Sequence, residues 1–132
     1  MVTGNASLWV TDTLTVKDTS RIILAPDATL TLYIGNQFYM MGSGAVNVGG
    51  RPEQMMYYGL TSSAEFYMSE SSKFVGTAYS PQAKMDISGN AEFFGAGHFK
   101  DMMLQGNSRF HFDEALNQTL GQPFVITSWT EL

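Results

Sequence analysis

Gly89-Asn90-Ala91-Glu92-Phe93 realigns with Gly106-Asn107-Ser108-Arg109-Phe110 at an offset of 17, and Ser72-Lys73-Phe74-Val75-Gly76 realigns with Ala91-Glu92-Phe93-Phe94-Gly95 at an offset of 19. Working outward, Phe38 and Tyr57 extend the series: Phe38, Tyr57, Phe74, Phe93 and Phe110 follow one another at offsets of 19, 17, 19 and 17. Self-similarity at one period, here about 18 residues, marks a repeat architecture in which each unit buries its apolar face against its neighbours, so these five aromatics are expected to form one inward column.

The segments between these aromatics read as strands. Leu14-Thr15-Val16, Leu30-Thr31-Leu32-Tyr33-Ile34, Ala45-Val46-Asn47-Val48, Met85-Asp86-Ile87 and Met102-Met103-Leu104 are short, mostly alternating, and bounded by Gly, Asn, Ser, Asp or Pro. Met85 with Met102, Ile87 with Leu104, and Gly89 with Gly106 keep the offset of 17. Ala78-Tyr79 and Gly97-His98 add a third position, offset by 19. Three short strands per turn, each stacked on its counterpart, predict an all-β, single-domain parallel β-helix. The uneven spacing and the lack of a hexapeptide pattern favour the right-handed type. Coils are expected over residues 1–112 and a cap over residues 113–132.

Gly89, Asn90, Gly106 and Asn107 are expected at corners, where positive φ is tolerated by Gly and less readily by Asn. Asn90 and Asn107 could also stack through their amides. In the cap, Asp113 is expected to accept the first amides of a helix that Gly121 terminates, followed by a strand carrying Trp129. The N-terminal end has no comparable cap, so it is expected to continue from a preceding segment or to pack against a partner.

Side chains that follow inward positions point outward. Tyr39, Tyr58 and Phe94 follow Phe38, Tyr57 and Phe93, and one member of each pair Met40-Met41, Met55-Met56 and Met102-Met103 faces out. Tyr39, Met41, Tyr58, Phe94 and Met103 are therefore the candidate binding residues, expected to form one apolar outer face. The other reading is that Met and aromatic side chains fill an irregular core.

Composition removes several functions. Of 132 residues, 44% are hydrophobic and 14% charged, which excludes a disordered chain. A net charge of −5 argues against nucleic acid, and the absence of Cys excludes disulfides and thiolate metal sites. No apolar run is long enough for a membrane-spanning helix. No Gly-x-Ser-x-Gly, Gly-Lys-Ser or His-Glu-x-x-His motif occurs. His111 with Asp113 and Glu114, and the charged set Lys84, Asp86, Lys100 and Asp101, are the possible polar clusters. Neither composes a catalytic centre, so no enzyme, metal or cofactor is expected.

Residues 28–132 resemble an uncharacterised family of bacterial surface β-helix domains found at the C-terminus of prepilin-like or pilus-assembly-associated proteins. The likeness is carried by Ala28-Thr29-Leu30-Thr31-Leu32-Tyr33-Ile34, by Tyr58-Gly59-Leu60 and by Phe74-Val75-Gly76-Thr77-Ala78-Tyr79-Ser80-Pro81-Gln82-Ala83. It continues through Ser88-Gly89-Asn90-Ala91-Glu92-Phe93-Phe94-Gly95-Ala96 and Gly106-Asn107-Ser108-Arg109-Phe110-His111-Phe112-Asp113-Glu114-Ala115-Leu116, and closes on Ser128-Trp129-Thr130-Glu131-Leu132. The Met-rich stretches around Met55-Met56 and Met102-Met103 depart from that pattern, which is aliphatic and rich in Ser and Thr. The resemblance implies a non-catalytic scaffold, exported to the bacterial surface and in contact with pilus or cell-surface proteins. Self-assembly into a filament, and binding or cleavage of carbohydrate, are the alternatives.

Overall fold

Strands with one buried face need alternating apolar and polar residues, and the computed structural model has strands where the sequence alternates. It describes residues 1–112 and 130–131. In chain order these are β1 (Asn5–Val10), β2 (Thr13–Val16), β3 (Arg21–Ile22), β4 (Thr29–Ile34), β5 (Gln37–Met40) and β6 (Ala45–Val46). There follow β7 (Met55–Gly59), β8 (Glu65–Met68), β9 (Lys73–Ile87), β10 (Glu92–Leu104), β11 (Arg109–Phe112) and β12 (Thr130–Glu131). One 3-10 turn, Pro52–Gln54, precedes β7, and no α-helix occurs among the described residues.

Every strand pairing is parallel, and the strands form three ladders. The first runs through β1, β4, β7 and the middles of β9 and β10, with Leu8, Leu32, Tyr57, Ala78 and Gly97 in register. The second runs through β2, β5, β8 and the C-terminal parts of β9 and β10, with Leu14, Phe38, Phe66, Met85 and Met102 in register. The third runs through β3, β6, the N-terminal parts of β9 and β10, and β11, with Ile22, Val46, Phe74, Phe93 and Phe110 in register. The chain visits the ladders in this order repeatedly, and together they form a nearly closed, barrel-like parallel sheet.

The circuit length differs from the expected period. Along the third ladder the chain advances by 24 from Ile22 to Val46, by 28 to Phe74, by 19 to Phe93 and by 17 to Phe110. The long circuit contains the loop with the 3-10 turn and a second loop between β7 and β8. The five aromatics expected in one column therefore lie in three ladders. Phe74, Phe93 and Phe110 do stack, with centroid separations of 4.9 and 4.7 Å, whereas Phe38 belongs to the second ladder and Tyr57 to the first. Period alone does not separate these positions, because an inward residue of any strand carries the same apolar signature.

All three ladders nevertheless point these residues inward. Phe38, Tyr57, Phe66, Phe74, Phe93 and Phe99 are buried with Leu32, Ile34, Met40, Met55, Met68 and Met85. Phe66 is central, its ring within 4.9–5.9 Å of Phe38, Tyr57, Phe74, Phe93 and Phe99. Each such aromatic contributes about 1.5–3 kcal/mol by leaving water.

The corners explain the predicted glycines. Asp18, Gly42, Glu70, Gly89 and Gly106 each stand two residues beyond the second-ladder register set Val16, Met40, Met68, Ile87 and Leu104. All five have φ between 57° and 67°. The next residue's amide donates to the carbonyl of the previous corner, as Asn90 does to Glu70 and Asn107 to Gly89. Asn90 and Asn107 are exposed and use these backbone amides; no side-chain amide stack joins them. The anticipated helix 113–121 with Asp113 and Gly121, and the strand position of Trp129, lie outside the described residues. Thr130–Glu131 pairs with Met103–Leu104 in the second ladder.

Candidate functional site

Strand alternation turns every second side chain of the first ladder outward, and one outward position of this ladder is aromatic in every circuit. Trp9, Tyr33, Tyr58, Tyr79 and His98 are successive register partners. Their ring centroids lie 4.6, 5.6, 6.4 and 5.2 Å apart. Trp9 and Tyr79 are 61% and 43% exposed, so the column is a surface feature. Burial pushes the Tyr58 hydroxyl above the ordinary tyrosine range, with Tyr33 beside it acting in the same direction.

Ring orientation limits what the column can bind. Trp9, Tyr33 and Tyr58 stack at interplanar angles of 24° and 18°, so their faces cover one another and their edges meet solvent. Stacking on a sugar needs a free ring face, which Tyr33, covered on both sides, does not offer; Tyr79 is inclined at 61° to Tyr58 and 42° to His98 and is not covered in this way. Edges and hydroxyls suit contact with a protein surface, where Tyr offers large area at low conformational entropy.

The five residues singled out from sequence do not share one face. Tyr58 lies in the aromatic column of the first ladder, Tyr39 and Met103 belong to the second, and Phe94 to the third. Met41 lines a cleft with Tyr39, Glu65 and Tyr67. Met103 pairs with Asp86 and accepts a contact of 3.1 Å from the Gln105 side-chain amide. Phe94 is stacked under His111 at 4.2 Å and 5°. A single apolar face through Tyr39, Tyr58 and Phe94 is not formed, because the longer first circuits shift the early strands relative to the late ones.

Trp9, Tyr33, Tyr79 and His98 are absent from the set that the sequence singles out. Ser7-Leu8-Trp9-Val10 aligns with Thr31-Leu32-Tyr33-Ile34 at an offset of 24, which is the signal for the first step, but the register of 17 and 19 points elsewhere.

On the third ladder the Glu92 carboxylate lies 3.1 Å from His111 Nε2 and 4.0 Å from Lys73 Nζ. His111 therefore has Glu92 as its carboxylate partner; Asp113 and Glu114 lie outside the described residues. Lys73 and His111 border a concavity of about 520 Å³ that Val48, Pro52, Val75, Phe94 and Phe112 also line. Of the predicted charge cluster, Asp101 pairs in register with Lys84, Asp86 stands two residues further along the same strand opposite Met103, and Lys100 falls at the irregularity between Phe99 and Asp101. Among the described residues no group of three or more His, Asp or Glu side chains is placed to hold a metal ion.

The fold and surface together define a class: an all-β chain of stacked parallel ladders with an aromatic column on one outer face. Residues 2–119 match the family model described as a domain of unknown function, DUF7305, and the chain belongs to that family. No curated protein and no solved structure matches it.

Proposed function

We propose that this chain is a right-handed parallel β-helix acting as a non-catalytic interaction module of an exported, cell-surface or pilus-associated bacterial protein. The observation that carries the reading is the column Trp9, Tyr33, Tyr58, Tyr79 and His98, held on strands in one line. A partner meeting it gains aromatic contact with little ordering cost, since the backbone beneath is hydrogen-bonded throughout the ladder. The three parallel ladders, visited in constant order, support the β-helix reading, and the surface and pilus assignment rests on the family resemblance. Among the described residues no helix is long and apolar enough to cross a membrane.

A photo-crosslinking residue at position 79 tests the face, with the same residue at Thr13 on the second ladder as control. In cells that produce the protein, position 79 is expected to give discrete adducts with a small set of exported proteins. Equal labelling from both positions, or none from position 79, removes the reading.

Self-assembly is the second reading, favoured by β1, β2 and β3, each of which has one strand partner and an open outer edge among the described residues. Carbohydrate binding is the third reading, and the face-to-face stacking of Trp9, Tyr33 and Tyr58 argues against it for that part of the column.

A further inference from the structure

Tyr39 and Tyr67 are register partners on the outer side of the second ladder, their rings 5.7 Å apart and nearly perpendicular at 80°. With Met41 and Glu65 they line a cleft of about 210 Å³. Two aromatic walls at a right angle, a polarizable thioether and one carboxylate form the environment that attracts an organic cation: ring quadrupoles and the thioether contact its methyl groups while the carboxylate balances its charge. Glu65 makes no ion pair among the described residues, although Lys84 is its register neighbour. Asp86, the register partner of Tyr67, adds a second negative charge beside the rings, and the whole chain carries −5. Glu65 also raises the Tyr39 hydroxyl pKa, after burial, which places its carboxylate within electrostatic reach of the ring.

We propose that this cleft binds a small quaternary ammonium group. A primary ammonium carries three donors and finds a single carboxylate among the lining residues, whereas a methylated cation needs apolar contact and one counter-charge. The site is independent of the aromatic column, which lies on a different ladder, so failure of either reading leaves the other standing.

The test is titration with tetramethylammonium, followed through the ring resonances of Tyr39 and Tyr67. Saturable shifts are expected with a midpoint at about millimolar concentration, as a few weak contacts allow. Glu65→Gln is expected to weaken binding about threefold to tenfold, Tyr67→Ala to abolish saturation, and Tyr67→Phe to retain it. Methylammonium is expected to bind more weakly than tetramethylammonium, and 3,3-dimethyl-1-butanol, the neutral isostere of choline, not to saturate. Choline in solution and phosphatidylcholine vesicles distinguish a free ligand from a lipid headgroup, and binding of either at this cleft supports the site. Equal midpoints for choline and its neutral isostere, equal midpoints for methylammonium and tetramethylammonium, or no saturation with tetramethylammonium overturns the proposal. Should Tyr67→Ala fail to fold, the comparison of Glu65→Gln and the isostere on intact rings decides it.

Discussion

Glu70 holds a left-handed backbone at φ 59°, at the corner that glycine occupies in three other circuits. A side chain there costs about 1–2 kcal/mol relative to glycine. Glu70→Gly is therefore expected to stabilise the fold by about 1 kcal/mol, read as a rise of a few degrees in Tm. Gly89→Ala should do the reverse and more, because its Cβ would come within 2.8 Å of the Glu70 backbone nitrogen. Gln54, 4% exposed, fastens the long loop: its Nε2 donates to the carbonyls of Ala25, Pro26 and Ala28, and its Oε1 accepts the Arg51 amide. Gln54→Leu is expected to cost about 2–3 kcal/mol by stranding these groups, measurable by urea denaturation. Burial pushes the Tyr57 hydroxyl well above its ordinary 10.0, with nearby Ser63 opposing, yet no hydrogen bond of proper geometry closes on that hydroxyl. The unfolded chain releases this proton above about pH 10 while the folded chain retains it, so the contribution is full below that pH and is lost as pH rises beyond it. Tyr57→Phe should flatten the alkaline fall in stability and leave stability at neutral pH within about 1 kcal/mol.

At the scale of the element, β9 and β10 pass through all three ladders, over 15 and 13 residues. They turn between the third and first ladders at Gly76 and Gly95, where Gly95 has φ 138° and a Cβ would strike the Gly76 carbonyl. Pro81-Gln82-Ala83 of β9 faces Lys100 of β10 at the next corner, which places the proline, lacking an amide hydrogen, outside the paired register. Because Phe66 touches rings from all three ladders, Phe66→Ala should cost about 3–5 kcal/mol. Phe110, half-buried at the end of its stack, should cost clearly less on the same substitution. Parallel thermal denaturation of the two variants checks the order; equal losses would mean that the third-ladder stack, not Phe66, holds the core.

For the whole molecule, the open side of the first circuit matters most. Leu8 points toward the core from β1 and is still 44% exposed, since no described strand lies beyond it. Such an edge is a template for association. Sedimentation velocity over a concentration series is expected to show association that Leu8→Lys reduces; a strict monomer at every concentration would remove the filament reading. The aromatic column reaches this same edge at Trp9, so a segment stacked there would extend the column as well as the sheet.

The all-β character, the inward direction of Phe38, Tyr57, Phe74, Phe93 and Phe110, and the corners at Gly89 and Gly106 were legible in the sequence. Alternation and glycine placement are local properties of the chain, set by strand geometry and backbone sterics. Which outward residues become neighbours was not legible. That depends on circuit length, and the loops at 47–54 and 60–64 lengthen the circuit from Val46 to Phe74, while the later circuits to Phe93 and Phe110 are shorter. Tyr39, Tyr58 and Phe94 share a sequence signature and were separated onto three ladders; Trp9, Tyr33, Tyr58, Tyr79 and His98 have no common spacing and were brought into one column. Backbone hydrogen bonding sets that register across the ladders, so tertiary structure alone decided the surface on which binding is to be sought.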